Sequence, residues 1–219
     1  KIGIPAAIRK PFALLNERAA VAVITGRSRS DALTHLGITP RYIIGNHGVE
    51  GLPGWADREN DFVQTALAWQ NQLDRLIAPQ EATGIVVENK GATLSIHYRR
   101  ALNIQASLTA VLQAVDRLVP RPVRISGKFV ENLLPPGAPD KGVALRLLMR
   151  QEGFGKAFFT GDDETDESIF RLNPERIFTV RVGKSAESQA GFYLRGQYEV
   201  ARLLRSLNTI LDKHKEETS

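Results

Sequence analysis

The stretch AFFTGDDETDESIF, residues 157–170, decides the fold. Its apolar opening reads as a buried strand. Gly161 breaks the strand, and Asp162, Asp163, Glu164, Asp166 and Glu167 follow before an apolar residue returns at Ile169. A strand that ends in a burst of carboxylates places hard oxygen ligands beyond the carboxyl end of a sheet, where an open α/β sheet takes its ligands. Such oxygens suit Mg²⁺ held between protein and a phosphate. The competing reading is a solvated acidic loop in which Asp162 or Asp163 caps a helix.

Working outward, residues 21–24 (VAVI) form a second compact apolar strand, ending in Thr25-Gly26-Arg27-Ser28. Having no polar alternation, it belongs in the middle of a parallel sheet covered on both faces. Ser28 or Ser30 can cap the short helix after it, which stops at Gly37. The strand at 42–44 then delivers the loop GNHGVE, residues 45–50. Upstream, IRKPFALL (residues 8–15) reads as a helix that starts anew or kinks at Pro11. Downstream, Asp140-Lys141-Gly142 opens a helix over 143–149, and beyond the acidic loop come a helix over 165–172, strands at 177–182 and 192–194, and a helix over 198–211 with a polar, fraying tail.

Between these halves the texture changes. Gly51, Pro53 and Gly54 break the chain. An amphipathic helix over 61–77 is followed by strands at 84–88 and 93–99, a helix over 101–118, and strands at 123–126 and 129–133 joined at Gly127-Lys128. That order makes a small sheet with helices on one face, closed by the stiff Leu134-Pro135-Pro136-Gly137. The expected architecture is α/β: a parallel-sheet core from residues 1–52 and 138–219, with an α+β cap domain, 53–137, inserted in it and a ligand in their shared cleft.

Composition narrows the chemistry. Of 219 residues none is cysteine, which excludes disulfides, thiolate catalysis and zinc–thiolate centres. No run of 18 apolar residues is present, so no membrane partner is expected. The net charge of +5 comes from dispersed residues such as Arg9, Arg18, Arg75, Arg124 and Arg146, and only Tyr98-Arg99-Arg100 sets an aromatic beside them. That pattern speaks against nucleic acid and for a basic pocket that takes an anionic small molecule. The absence of cysteine suits cytosol and periplasm alike; a cytoplasmic monomer is the expectation. No Gly-x-Ser-x-Gly, GxGxxG or GxxxxGK pattern occurs.

Thr25 and Arg27 follow a buried strand, where a hydroxyl, turn amides and a guanidinium can bind phosphoryl oxygens. Lys141 opens a helix, where the dipole disfavours a cation, so an anion must compensate. Thr25, Lys141 and Asp162 together meet the needs of phosphoryl transfer: positive charge on the equatorial oxygens, and a metal between carboxylate and phosphate. Glu88 and Lys90 are two apart, as are His97 and Arg99, so each pair shares a strand face. Glu131 has the parity of Phe129 and Leu133, and a carboxylate on that apolar face is expensive unless partnered. Glu50, Glu88, Lys90 and Glu131 suit sugar hydroxyls, or are plain surface charge.

Five motifs carry a resemblance: ITGRS at 24–28, GNHGVE at 45–50, VENKGATLSIHYR at 87–99, DKG at 140–142 and GDDETDESIF at 161–170. With them the chain resembles the haloacid-dehalogenase-like phosphatases, and among these the trehalose-6-phosphate phosphatases. The resemblance implies a Rossmannoid core, a mobile cap, Mg²⁺, and hydrolysis of trehalose 6-phosphate through an aspartyl-phosphate. It implies that Thr25 binds the phosphate, Lys141 holds the phosphoryl group, Asp162 ligates Mg²⁺ and Asp166 braces Lys141. Arg27, His47 and Glu50 would then lie in substrate-facing loops. Glu88, Lys90 and Glu131 would grip the distal glucose, with Arg99 in support. The family's opening strand ends in an Asp-x-Asp-Gly-Thr motif that supplies nucleophile and general acid, yet no Asp precedes Asp31 here. Residues 1–15 resemble the helix that follows that motif, so the strand is expected to lie upstream or to be missing, and a chain that starts at Lys1 is expected to have an empty slot in the core sheet. A non-catalytic sugar-phosphate-binding module and a phosphatase of a related phosphosugar are the alternatives.

Overall fold

The structure, a computed structural model, describes residues 4–77, 84–172 and 174–217. The chain divides into two compact units, Lys1–Pro53 with Pro139–Ser219, and Gly54–Ala138.

In the first unit, parallel strands alternate with helices: α1 Ala6–Arg18, β1 Ala22–Ile24, α2 Arg29–Leu36 and β2 Tyr42–Ile44 in one run. The second run follows the other unit in the chain. β1 pairs in parallel with β2, Val23 opposite Ile43. α2 is capped by Ser28, whose side chain accepts from the Asp31 amide, and it stops at Gly37 with φ 62°. Pro11 does not restart α1, which runs unbroken through it.

The second unit holds α3 Ala56–Leu76, β3 Val86–Asn89, β4 Leu94–His97, α4 Ile104–Asp116, β5 Val123–Gly127 and β6 Val130–Leu134. The four strands form an antiparallel sheet in the order β3-β4-β6-β5. Ala66, Trp69 and Leu73 of α3 and Val111, Ala114 and Val115 of α4 pack with Leu94, Ile96 and Leu133, so both helices cover one face. Trp69 is fully buried and its indole N–H donates to the Pro120 carbonyl at 2.7 Å, which satisfies the one polar atom of that core residue. The β5–β6 turn falls at Lys128-Phe129, one residue later than the sequence suggests, with Phe129 at φ 63°.

The first unit resumes with α5 Lys141–Gln151, β7 Ala157–Gly161, α6 Glu167–Phe170, β8 Ile177–Val182, β9 Phe192–Leu194 and α7 Val200–Glu217. β7, β8 and β9 are parallel neighbours. Leu145 and Met149 of α5 pack with Ile169 and Ile177, and Ile24 of β1 reaches the same core. Three expectations are corrected here. β1 is half-buried, and Phe158 of β7 is 37% exposed, because β1 pairs only with β2 and β7 only with β8 among the described residues. The helix expected over 165–172 is a 3-10 turn, Glu164–Asp166, followed by the short α6, since Asp163 and Asp166 cap each other across that turn. The tail is helical to Glu217. α7 is tied to α1 by Arg18 donating to Asp212 at 2.8 Å, and by the Asn208 amide donating to the Pro11 carbonyl at 2.9 Å.

Candidate active site

β7 ends at Gly161, and the acidic loop turns back over the start of α5. Lys141 is the first residue of α5, and its Nζ donates to Asp166 Oδ1 at 2.7 Å, with both side chains about 5% exposed. Asp166 Oδ2 accepts from the Asp163 amide at 2.9 Å, so both carboxylate oxygens are engaged. The cation that the helix dipole disfavours thus has its compensating anion inside the protein. Two glycines permit the approach. A Cβ on Gly161 would overlap the Asp166 carboxylate, and one on Gly142 would overlap the Ser168 carbonyl, while the Gly142 amide donates to Ser168 Oγ at 3.1 Å. Asp140 caps α5, accepting from the Val143 amide at 2.7 Å. Asp162 is exposed, and its carboxylate has no partner among the described residues.

The loops after β1 and β2 interlock. The His47 amide donates to the Thr25 carbonyl at 2.8 Å and the Asn46 amide to the Arg27 carbonyl at 2.7 Å. Glu50 Oε2 accepts from the Arg29 amide at 2.7 Å and from the Asn46 side chain at 3.0 Å. Asn46 and His47 both take left-handed φ, 51° and 63°, a strained pair that this network holds in place. Gly26 leaves room for the His47 ring, and Gly48, at φ 124°, lies against the Asp140 carbonyl and Ala144. The two loops therefore abut the first turn of α5. Thr25 Oγ1 accepts from the Arg27 amide at 3.2 Å, and the Arg27 guanidinium is paired with Asp31 at 2.6 Å.

In the second unit, His97 Nε2 lies 2.8 Å from a Glu88 carboxylate oxygen, Glu88 being exposed on β3 and His97 half-buried on β4. Lys90 is half-buried just past β3. Arg99 is exposed, stacked over the Phe129 ring at 6.0 Å. The ladder separates Glu88 from Glu131. Glu88 faces Ser95, whereas Glu131 faces Ile96, which in turn faces Val87, so the two carboxylates lie on opposite sides of the sheet. Glu131 is 3% exposed on the helix-covered face, partnered by Ser126 Oγ at 2.8 Å. Burial and the Glu131 charge together push the Tyr98 hydroxyl pKa up. The residue that shares Glu88's face is Asn132, which accepts from Ser95 Oγ at 2.7 Å.

Residues 6–196 match the trehalose-phosphatase family. The chain belongs to that family. It is 30% identical over 202 residues to the trehalose-6-phosphate phosphatase of Escherichia coli (strain K12), covering 90% of this chain and 74% of that one. To the probable trehalose-phosphate phosphatase 9 of Oryza sativa subsp. japonica it is 29% identical over 227 residues, 88% of this chain but only 60% of the relative. Among solved structures, that of a trehalose-6-phosphate phosphatase related protein superposes with a TM-score of 0.73 at 21% identity, covering 98% of this chain and 91% of that one. The sucrose-phosphatase of Synechocystis sp. PCC6803 superposes at 0.61 and 19% identity, covering 94% and 91%. These two show the fold: a parallel-sheet α/β core with a second α+β unit.

The described residues gather no group of three or more His, Asp or Glu able to hold a metal by themselves. Asp162 offers one unpartnered hard oxygen donor at the end of β7. It fits a cation that draws only part of its oxygen shell from these residues. No helix among the described residues is long and apolar enough to cross a membrane.

A pair that the sequence does not reveal, Arg181 and Glu167, joins the acidic loop to β8. The Arg181 guanidinium donates to Glu167 Oε1 at 3.0 Å. Burial pushes the Glu167 carboxyl up, but the Gln189 amide, the Ser188 hydroxyl and the Arg181 and Arg171 charges outweigh it, and the net pKa is lowered. The only signal for this pair was a charged residue inside the apolar run IFTVRV.

Proposed function

We propose that this chain is the greater part of a divalent-metal-dependent phosphatase acting on trehalose 6-phosphate. The observation that carries the proposal is the buried Lys141–Asp166 pair at the mouth of α5, beside the open carboxylate of Asp162, in a chain of the trehalose-phosphatase family. In this reading Lys141 and the Thr25 hydroxyl bind and orient the phosphoryl oxygens. Asp166 holds the Lys141 ammonium in place, so that little reorganisation accompanies reaction. Asp162 would hold Mg²⁺, which would supply charge neutralisation at the phosphoryl group. Arg27, His47 and Glu50 shape the loops beside the phosphate.

The nucleophilic Asp and the acid that protonates the leaving sugar oxygen are assigned to a strand preceding Lys1. The support is in the sheet: β1 and β7 carry apolar sequences suited to central strands, yet each has a single pairing partner among the described residues. A strand seated between them would satisfy both unpaired edges. Glu88 and Lys90 are the proposed partners of the sugar hydroxyls in the second unit, with Asn132 on the Glu88 face. The partner is thus a small anionic sugar, and the enzyme a cytoplasmic monomer.

The test is phosphate release by the full-length protein from trehalose 6-phosphate, sucrose 6-phosphate and glucose 6-phosphate, with Mg²⁺ and with EDTA. Metal-dependent release with preference for the first is expected. Tight binding of the sugar phosphate without release would replace the enzyme by a binding module, and preference for another phosphosugar would correct the substrate.

A further inference from the structure

Five of the six residues from 162 to 167 are acids, and the described residues bring two cations to them: the buried Lys141 to Asp166 and the half-buried Arg181 to Glu167. Arg181 stands on β8 opposite Gly161 of β7. Its Nη1 donates to Glu167 Oε1 at 3.0 Å and to the Asp163 carbonyl at 3.4 Å, and its Nη2 donates to the Asp162 carbonyl at 3.3 Å. The side chain is 17% exposed, and that of Glu167 is 12% exposed. One guanidinium therefore holds the carbonyls of the two residues that leave the strand. Fixing both carbonyls fixes the peptide planes on the C-terminal side of Asp162 and, together with the strand pairing of Gly161 before it, restricts the direction in which its Cα–Cβ bond leaves the backbone.

Anchoring of the neighbouring loop does not require these contacts. The stretch 188–191 is held to the same framework by the Gln189 amide donating to Glu167 Oε2 at 3.0 Å and the Gly191 amide donating to Thr179 Oγ1 at 2.9 Å. Arg181 touches the acidic loop itself. We infer that Arg181 is a positioning residue that presents the Asp162 carboxylate to the divalent cation, with Glu167 orienting Arg181 in turn. This rests on the phosphatase reading only in taking Asp162 as the cation's ligand. A planar fork reaching three acceptors from two nitrogens is a task that a lysine's point charge performs poorly.

The experiment uses the full-length protein and Mn²⁺ as probe, with free Mn²⁺ read by electron paramagnetic resonance in the absence of substrate. Arg181→Gln is expected to weaken Mn²⁺ binding by about 10- to 100-fold, the usual effect of removing a group that orients a metal ligand. Arg181→Lys should lie between wild type and Arg181→Gln. Glu167→Gln, which leaves the guanidinium in place, should lose less than Arg181→Gln and serves as the readout if that variant does not fold. In phosphate release, the Mg²⁺ concentration for half-activation should rise by the same factor while the rate at saturating Mg²⁺ changes little. Unchanged Mn²⁺ affinity in folded Arg181→Gln, whatever its melting temperature, overturns the inference, as does a wild-type protein that binds no Mn²⁺. Failure of the phosphatase reading looks different: no phosphate release from wild type, with the Mn²⁺ ratios intact.

Discussion

Replacing Asp166 by Asn should destabilise the protein by about 3–5 kcal/mol, the range for removing one partner of a buried ion pair. The figure follows from the geometry. Lys141 Nζ is 2.7 Å from Asp166 Oδ1 with side-chain exposures of 6% and 5%, so no solvent can take over the orphaned ammonium. An Asn can still accept from the Asp163 amide with its single oxygen, but its amide nitrogen then faces a second donor. Lys141→Met should cost a comparable amount, because it leaves the carboxylate with the Asp163 amide alone. Combining the two removes both desolvated charges and should recover much of the loss, with a coupling of roughly 0.5–3 kcal/mol between the sites. Urea unfolding of the four proteins measures this against a total stability on the order of 5–15 kcal/mol. Singles that each cost under about 1 kcal/mol and simply add would refute a tightly coupled pair. Turnover should fall in all three variants, which separates the pair's positional role from its contribution to stability.

Gly161→Ala should push the Asp166 carboxylate off Lys141, lowering stability by about 1–3 kcal/mol through overpacking and abolishing turnover; a crystal structure of the variant with the ion pair intact would remove that explanation. Glu167 has a lowered folded pKa, so its contribution is present above the ordinary carboxyl value of 4.5 and is lost as pH falls through the lower folded value. The stability gap between wild type and Glu167→Gln should therefore be wide at neutral pH and close below pH 4.5, as read by thermal unfolding across pH; a gap independent of pH contradicts it. Glu131→Gln should leave the preference among sugar phosphates unchanged, whereas Glu88→Ala should raise KM for trehalose 6-phosphate without affecting a small aryl phosphate. Equal effects of Glu88→Ala on both substrates would remove Glu88 from the sugar contacts.

The chemistry of the acidic loop was legible because a strand, a glycine and a run of carboxylates are consecutive in sequence. Its wiring was not. The Lys141–Asp166 contact spans 25 residues and the Arg181–Glu167 contact spans 14, and nothing local predicts which acid turns inward and which stays in water. The burial expected for VAVI and AFFT exceeds that observed for a related reason: an apolar run specifies the neighbours that a strand needs, and among the described residues each of these strands has one. In the second unit, strand parity already set Glu131 beside Leu133 on an apolar face, and Ser126 proves to be the partner that such burial demands. The face shared with Glu88 belongs to Asn132, a difference of one residue that reverses the side of the sheet.

The measurement closest to the central claim is phosphate release from trehalose 6-phosphate by the full-length protein, compared with its Asp162→Ala and Lys141→Met variants. The account predicts release that requires Mg²⁺ and stops in EDTA, with both variants folded and inactive. Release that persists in EDTA, or that survives either substitution, would contradict it.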